Sequence, residues 1–270
     1  MNLQDAEIDV NEIECKNCGA HFQGSYCNNC GQKVIEERNT LKHFFTITFD
    51  TFDIHRGVLY TAKLLFTNPG KLINDYLGGK TRDYYNPLKY LLIIAGLYAL
   101  LMIWLNVIDA NIEISNELFQ MEEEETKLQS FLNLYVKKYL NLIPILVLPF
   151  WSLSAKWILR KRKLYYAEYL IINCFLHAQY LLIIGAISLV LFPFPSLSKY
   201  IMLFGAVIIF AYYSYAFKSI FRFSILKSIF SSLAVILLGI ILFYLFFILV
   251  MIIVMVILHL NGVDLKELVQ

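Results

Sequence analysis

Cys15, Cys18, Cys27 and Cys30 stand in two knuckles, C-K-N-C-G and C-N-N-C-G-Q, separated by the eight residues from Gly19 to Tyr26. Two pairs of thiolates, each bracketing a tight turn, form the donor set of a closed tetrahedral site, and structural zinc is its natural occupant. Gly19 and Gly31 follow the second cysteine of each pair, where a positive φ lets backbone N–H groups point at sulfur. Phe22 and Tyr26 are the only sizeable apolar cover of so short a ribbon, so metal binding must supply most of its folding free energy. The same spacing also suits iron, or two disulfides in an exported loop. His21 lies between the knuckles, but four thiolates already close the site, and it reads as a surface residue.

A second set of chemically able residues lies in an apolar run. Asn173 and His177 are one helical turn apart, Cys174 sits at i, i+3 from His177, and Gln179 follows. An unpaired polar group is expensive in hydrocarbon, so these residues form a possible intramembrane polar site. A histidine there can relay protons, bind a metal or hydrogen-bond across helices. The chain has no H-E-x-x-H, G-x-S-x-G or P-loop pattern, and a Cys174–His177 dyad lacks a third orienting group, so no catalytic residue is assigned and the chain is not expected to be an enzyme. The acidic run Glu122–Glu125 reads as a solvated face rather than a cation site.

The elements that must carry these residues are read from composition and hydropathy. Hydrophobic residues make up 59%, charged residues 16%, and the mean hydropathy is +0.60, which places the chain among integral membrane proteins. Residues 1–14 are acidic, carry no apolar signal-peptide core and are expected to be disordered. The ribbon occupies 15–32. Over 41–85 apolar residues recur at helical spacing: Val58, Leu59, Ala62, Leu65 and Phe66 on one face, then Leu72, Ile73, Tyr76 and Leu77 on a second short helix that Asn68 caps and Gly78 ends. These helices either lie in the headgroup region or pack on the bundle. In the first case Lys71, Lys80 and Arg82 are possible headgroup contacts.

Five apolar runs follow within 86–260, at about 90–108, 140–159, 168–192, 200–217 and 229–258. Asn86 and Pro87 supply the cap and first turn of the first run, and Pro149 falls inside the second, where it should kink the helix. The last run is too long to cross a hydrocarbon core of about 30 Å without tilting, protruding or bending. Eleven cations (Lys71, Lys80, Arg82, Lys89, Arg160–Lys163, Lys218, Arg222, Lys227) flank one side of these runs and five the other. That bias puts the N-terminus in the cytoplasm and the C-terminus outside, in agreement with the reducing compartment that free thiolates need. The ribbon shows no basic stripe, because Glu12, Glu14, Glu36 and Glu37 offset Lys16, Lys33 and Arg38, so a protein partner is expected there rather than a nucleic acid.

The opening C-K-N-C-G-A-H-F-Q-G-S-Y-C-N-N-C-G-Q, T-A-K-L-L-F-T-N-P-G from Thr61, and Y-L-G-G-K-T-R-D-Y-Y-N-P from Tyr76 resemble the bacterial membrane family labelled domain of unknown function 3667, found mainly in Bacteroidota. Y-A-E-Y-L from Tyr166 and F-L-H from Phe175 are similar to its later spans. The resemblance implies a zinc-ribbon protein of the bacterial inner membrane and carries no established activity. The expectation is an all-α membrane bundle of about five spans with a small N-terminal zinc ribbon. It is read first as a membrane-anchored interaction or scaffold protein, and alternatively as a transporter or channel for a small solute or lipid that uses the polar residues of the third span.

Overall fold

The structure is a computed structural model that describes residues 13–34, 57–105, 143–194 and 201–260. The acidic run Glu122–Glu125 and residues 35–56 lie outside the described residues.

Strands β1 (Ile13–Glu14) and β2 (His21–Phe22) pair antiparallel, Ile13 opposite Phe22 and Glu14 opposite His21, and a bridge between Tyr26 and Lys33 closes the second knuckle. The ribbon therefore spans 13–34 and takes in Ile13 and Glu14 from the segment expected to be disordered, because Phe22 needs a strand beside it. Its buried core is Cys15, Phe22 and Cys27, with Ile13, Ala20, Cys30 and Val34 packed against it.

Seven helices follow among the described residues: α1 (Val58–Thr67), α2 (Pro69–Leu77), α3 (Pro87–Trp104), α4 (Ile143–Ile158), α5 (Tyr166–Leu191), α6 (Ile201–Phe221) and α7 (Ile225–Leu260). Local chemistry sets several of their ends. The Asn68 side chain accepts from the Lys71 amide, and that of Asn86 accepts from the Leu88 and Lys89 amides, each just before a proline that needs no donor of its own. After α2 the left-handed residue is Gly79 (φ +97°), one position beyond the expected stop at Gly78.

Helix α5 is apolar around its whole circumference and sits centrally, against α1, α3, α4 and α6. Phe175 at its middle meets Tyr76 edge-on at 5.3 Å and Tyr90 at 6.3 Å. Of the two readings for 41–85, packing on the bundle holds for α2, whose Leu72, Ile73 and Tyr76 are buried and which lies against α6. Helix α1 divides: Thr61 and Leu65 are buried, whereas Leu59 and Phe66 are exposed.

Among the described residues four helices are long and apolar enough to cross a membrane: Pro87–Trp104, Tyr166–Leu191, Phe204–Phe221 and Ile225–Ile253. Helix α4, expected as a span over 140–159, is described from Ile143 to Ile158 and runs through Pro149. Lys218 and Lys227 limit the apolar runs without ending the helices, so α6 reaches Phe221 and α7 begins at Ile225, four residues earlier than hydropathy suggests. Helix α7 is 36 residues long, about 54 Å. It packs through Val235 and Gly239 onto α4, and the ring of Trp151 occupies the space a side chain at Gly239 would need.

Candidate metal centre and intramembrane polar groups

Each cysteine knuckle closes by the same backbone bonds. In the first, the Gly19 amide donates to the Cys15 carbonyl (2.8 Å) and the Cys15 amide to the Ala20 carbonyl (2.9 Å). In the second, Gly31 donates to Cys27 (2.7 Å) and Cys27 to Gln32 (2.8 Å). Gly19 and Gly31 have φ of +75° and +68°, the left-handed backbone the spacing called for. The turn aims the Ala20 amide at the Cys18 sulfur, and that bond, with help from the other three cysteines, brings the Cys18 thiol down to about 6 against some opposing desolvation. Burial pushes the Cys30 thiol up to about 11, despite a bond from the Gln32 amide.

All four cysteines are free, and their sulfurs lie within 4.8 Å of one another. The Sγ atoms of Cys15 and Cys30 are 3.6 Å apart, as are those of Cys18 and Cys27. An ion held tetrahedrally at about 2.3 Å from each sulfur requires sulfurs about 3.8 Å apart, so the donor set fits a metal ion of that size. The disulfide alternative does not match this geometry.

The two knuckles differ at the residue that follows each glycine. Where the first has Ala20, the second has Gln32, buried to 5% exposure and set on the turn that follows α2. Its Nε2 donates to the Gly79 carbonyl (3.1 Å) and Thr81 Oγ1 (3.0 Å), and its Oε1 accepts from the Arg82 amide (2.9 Å). The Arg82 guanidinium lies against Gly31, and the Lys16 side chain against Gly79. The ribbon is thus seated on the 79–82 turn rather than hanging from it. A cleft of about 380 Å³ runs along the seam, lined by Ile13, Phe22, Val34 and Gln32 among others. Beneath it the Tyr84 hydroxyl donates to Asp75, Lys80 pairs with Asp75 at 3.8 Å, and the Tyr85 amide donates to Thr61 Oγ1.

This seat is also where the chain meets a known group of proteins. Residues 56–99 match the model of the family described as Protein of unknown function (DUF3667). Over this segment the chain is similar to the DUF3667 family. The match takes in α1, α2, the 79–82 turn and most of α3, and so covers the seat of the ribbon rather than its cysteines. Among curated proteins and solved structures no match is found.

The remaining site residues divide between the DUF3667 segment and α5. Lys71, Lys80 and Arg82 are all exposed, with Lys80 turned to Asp75 and Arg82 to the ribbon. Asn173, His177 and Gln179 are all buried in α5, and the helix aims them at two different seams. Asn173 donates to Ser152 Oγ of α4 (3.3 Å) and the Tyr169 carbonyl, and accepts from the Tyr213 hydroxyl of α6 (3.3 Å). Gln179 faces α3, where its Oε1 accepts from the Tyr90 hydroxyl at 2.7 Å. His177 lies on the Asn173 side, edge-on to Trp151 with ring centres 5.2 Å apart. Among the described residues His177 Nδ1 and Trp151 Nε1 are both buried without a hydrogen-bond partner.

Sequence reasoning did not single out Gln32, Ser152, Tyr90 or Tyr213. Gln32 carried a usable signal, since a long polar side chain stands there where the first knuckle has Ala20. The others are polar residues of other helices, and only the packing shows what they meet.

Proposed function

We propose that this chain is a membrane-anchored interaction protein of the bacterial inner membrane, with a zinc-holding ribbon in the cytoplasm, five spans that include α4, and the C-terminus outside. The observation that carries this reading is the seat of the ribbon. Gln32 fixes a metal-sized thiolate cluster to the DUF3667 segment and leaves the opposite surface, His21 and Gly24–Tyr26, exposed. Tyr26, 56% exposed on a rigid hairpin, is the kind of side chain that anchors a protein contact. Zinc is favoured over iron because four thiolates close a structural zinc site without any redox role. The excess of Lys and Arg on the ribbon's side supports the orientation.

The test is affinity purification from native membranes in mild detergent, comparing the unmutated chain with Cys15→Ser/Cys18→Ser and with Tyr26→Ala. Proteins that co-purify through the ribbon are expected to disappear with the cysteine variant and to fall with the tyrosine variant. Retention of every partner by both variants would remove the ribbon from the function.

A second reading, movement of a proton or small polar solute, is favoured by the unpaired Nδ1 of His177 and Nε1 of Trp151. The closed pairing of Asn173 and Gln179 supports it less. In proteoliposomes carrying a pH-sensitive dye, transport through this seam predicts a proton leak that His177→Leu abolishes. A leak from the unmutated chain that equals that of the variant, or that of empty vesicles, tells against it.

A further inference from the structure

Two connections that lie far apart in the sequence meet at one end of the bundle. The 3-10 turn Arg160–Arg162 follows α4, and Arg222–Ser224 joins α6 to α7. Arg162 donates through Nη2 to the Phe221 carbonyl at 2.8 Å. Its guanidinium carbon stands 4.5 Å from the centre of the Phe223 ring and 5.6 Å from that of Phe221. Lys227 Nζ is also 4.5 Å from the centre of Phe223. The two cations are therefore no further apart than about twice that distance, held by a buried ring and a backbone carbonyl.

Like charges held so close repel, and an anion between or beside them relieves that repulsion. The protein does not supply it: among the described residues neither Arg162 nor Lys227 forms an ion pair with a carboxylate. Of the acids on adjoining elements, Glu168 accepts from the Tyr165 amide, and Asp75 is engaged by Tyr84 and Lys80. Arg160, Lys161, Lys218 and Arg222 are exposed on the same two connections or the helix ends beside them and add to the field. The surface next to the pair is apolar. Leu226 and Phe230, one turn apart on α7 and flanking Lys227, are 69% and 67% exposed, and Ile225 is 60% exposed.

We propose that Arg162 and Lys227 bind the phosphate of an anionic phospholipid, whose acyl chains run along Leu226 and Phe230. The guanidinium offers paired N–H donors to phosphate oxygens and the ammonium a point charge. The apolar strip selects an amphiphile over a free anion. The site is distinct from Lys71, Lys80 and Arg82, and it rests on the membrane reading above.

The test is native mass spectrometry of the full chain in mild detergent, titrated with dioleoylphosphatidylglycerol or dioleoylphosphatidylcholine. Phosphatidylglycerol is expected to bind in preference. Arg162→Gln/Lys227→Gln is expected to weaken that binding by roughly thirtyfold, the effect of two cations each worth about 1 kcal/mol near such a headgroup. Arg162→Lys/Lys227→Arg, which keeps both charges, is expected to retain most of it and shows that the end of the bundle still folds. Lys33→Gln/Lys63→Gln removes two charges elsewhere and is expected to change nothing. Equal binding of the two lipids, an unaffected double variant, an equal loss in the control pair, or displacement by inorganic phosphate would each overturn the site. A chain that stays in solution without detergent would overturn the membrane reading itself.

Discussion

Stripping the metal from the ribbon with a chelator is expected to release residues 13–34 and, with them, the 79–82 turn. The ribbon has little else to hold it: two-residue strands and a core of Cys15, Phe22 and Cys27. Structural zinc in small modules of this kind contributes about 10–16 kcal/mol of apparent binding free energy, so its loss leaves no folded ribbon behind. The effect is transmitted by one residue. The Gln32 amide bonds to the Cys30 sulfur, while its side chain holds Gly79, Thr81 and Arg82. Hydrogen exchange with mass mapping should show protection falling together over 13–34 and 79–82, while α3 and α5 keep theirs. Cys18→Ser is expected to do the same without chelator. Gln32→Leu separates the two links: the knuckles still fold on metal, but the Arg82 amide and Gly79 carbonyl lose their partners at about 1–3 kcal/mol each. In that variant 79–82 alone should loosen. If chelation left the exchange of 79–82 unchanged, the ribbon and its seat would be independent, and the functional reading built on their contact would fail.

How much of this was legible in the sequence depends on how local each determinant is. The knuckles and the helix starts at Asn68–Pro69 and Asn86–Pro87 are local, and they stand where spacing and capping chemistry place them. The ends of α6 and α7 were misplaced because a lysine interrupts an apolar run but not a backbone ladder, and Lys218 continues in the helix with its side chain exposed. Helix α1 divides because Thr61, a polar residue in an apolar pattern, turns inward to accept the Tyr85 amide. Asn173, His177 and Gln179 read as one constellation because they share a helix, but six positions at about 100° per residue carry Gln179 to another side. Its partner Tyr90 lies 89 residues away. The meeting of Arg162 with Phe221 spans 59 residues, and nothing in hydropathy or charge order could have paired those two connections.

Replacing Gly70 by alanine is expected to be the most damaging single substitution in the DUF3667 segment outside the ribbon's reach. Gly70 lies in the first turn of α2, where its amide donates to Ser219 Oγ of α6 at 3.0 Å. An added Cβ would collide with the carbonyl group of Ser219 as well as its hydroxyl. A backbone carbonyl inside a helix cannot swing aside, so α2 and α6 must separate. That separation pulls on a row of bonds along the same seam: Asn74 to the Ile220 carbonyl (3.2 Å), Tyr215 to that of Thr67 (2.7 Å) and Tyr212 to that of Leu65 (3.1 Å). Overpacking by a single methyl in a tight interface costs about 1–3 kcal/mol, and strain on this seam places Gly70→Ala at or above the upper end. Gly96→Ala is the matched comparison, because a Cβ there meets open space and alanine is the better helix former by up to about 1 kcal/mol. Thermal melts in detergent should therefore move in opposite directions, down for Gly70→Ala and level or up for Gly96→Ala. A Gly70→Ala variant that melts with the unmutated chain would mean that α2 is not held on α6 by this close approach, and that the ribbon's seat rests on α1 and the 79–82 turn instead.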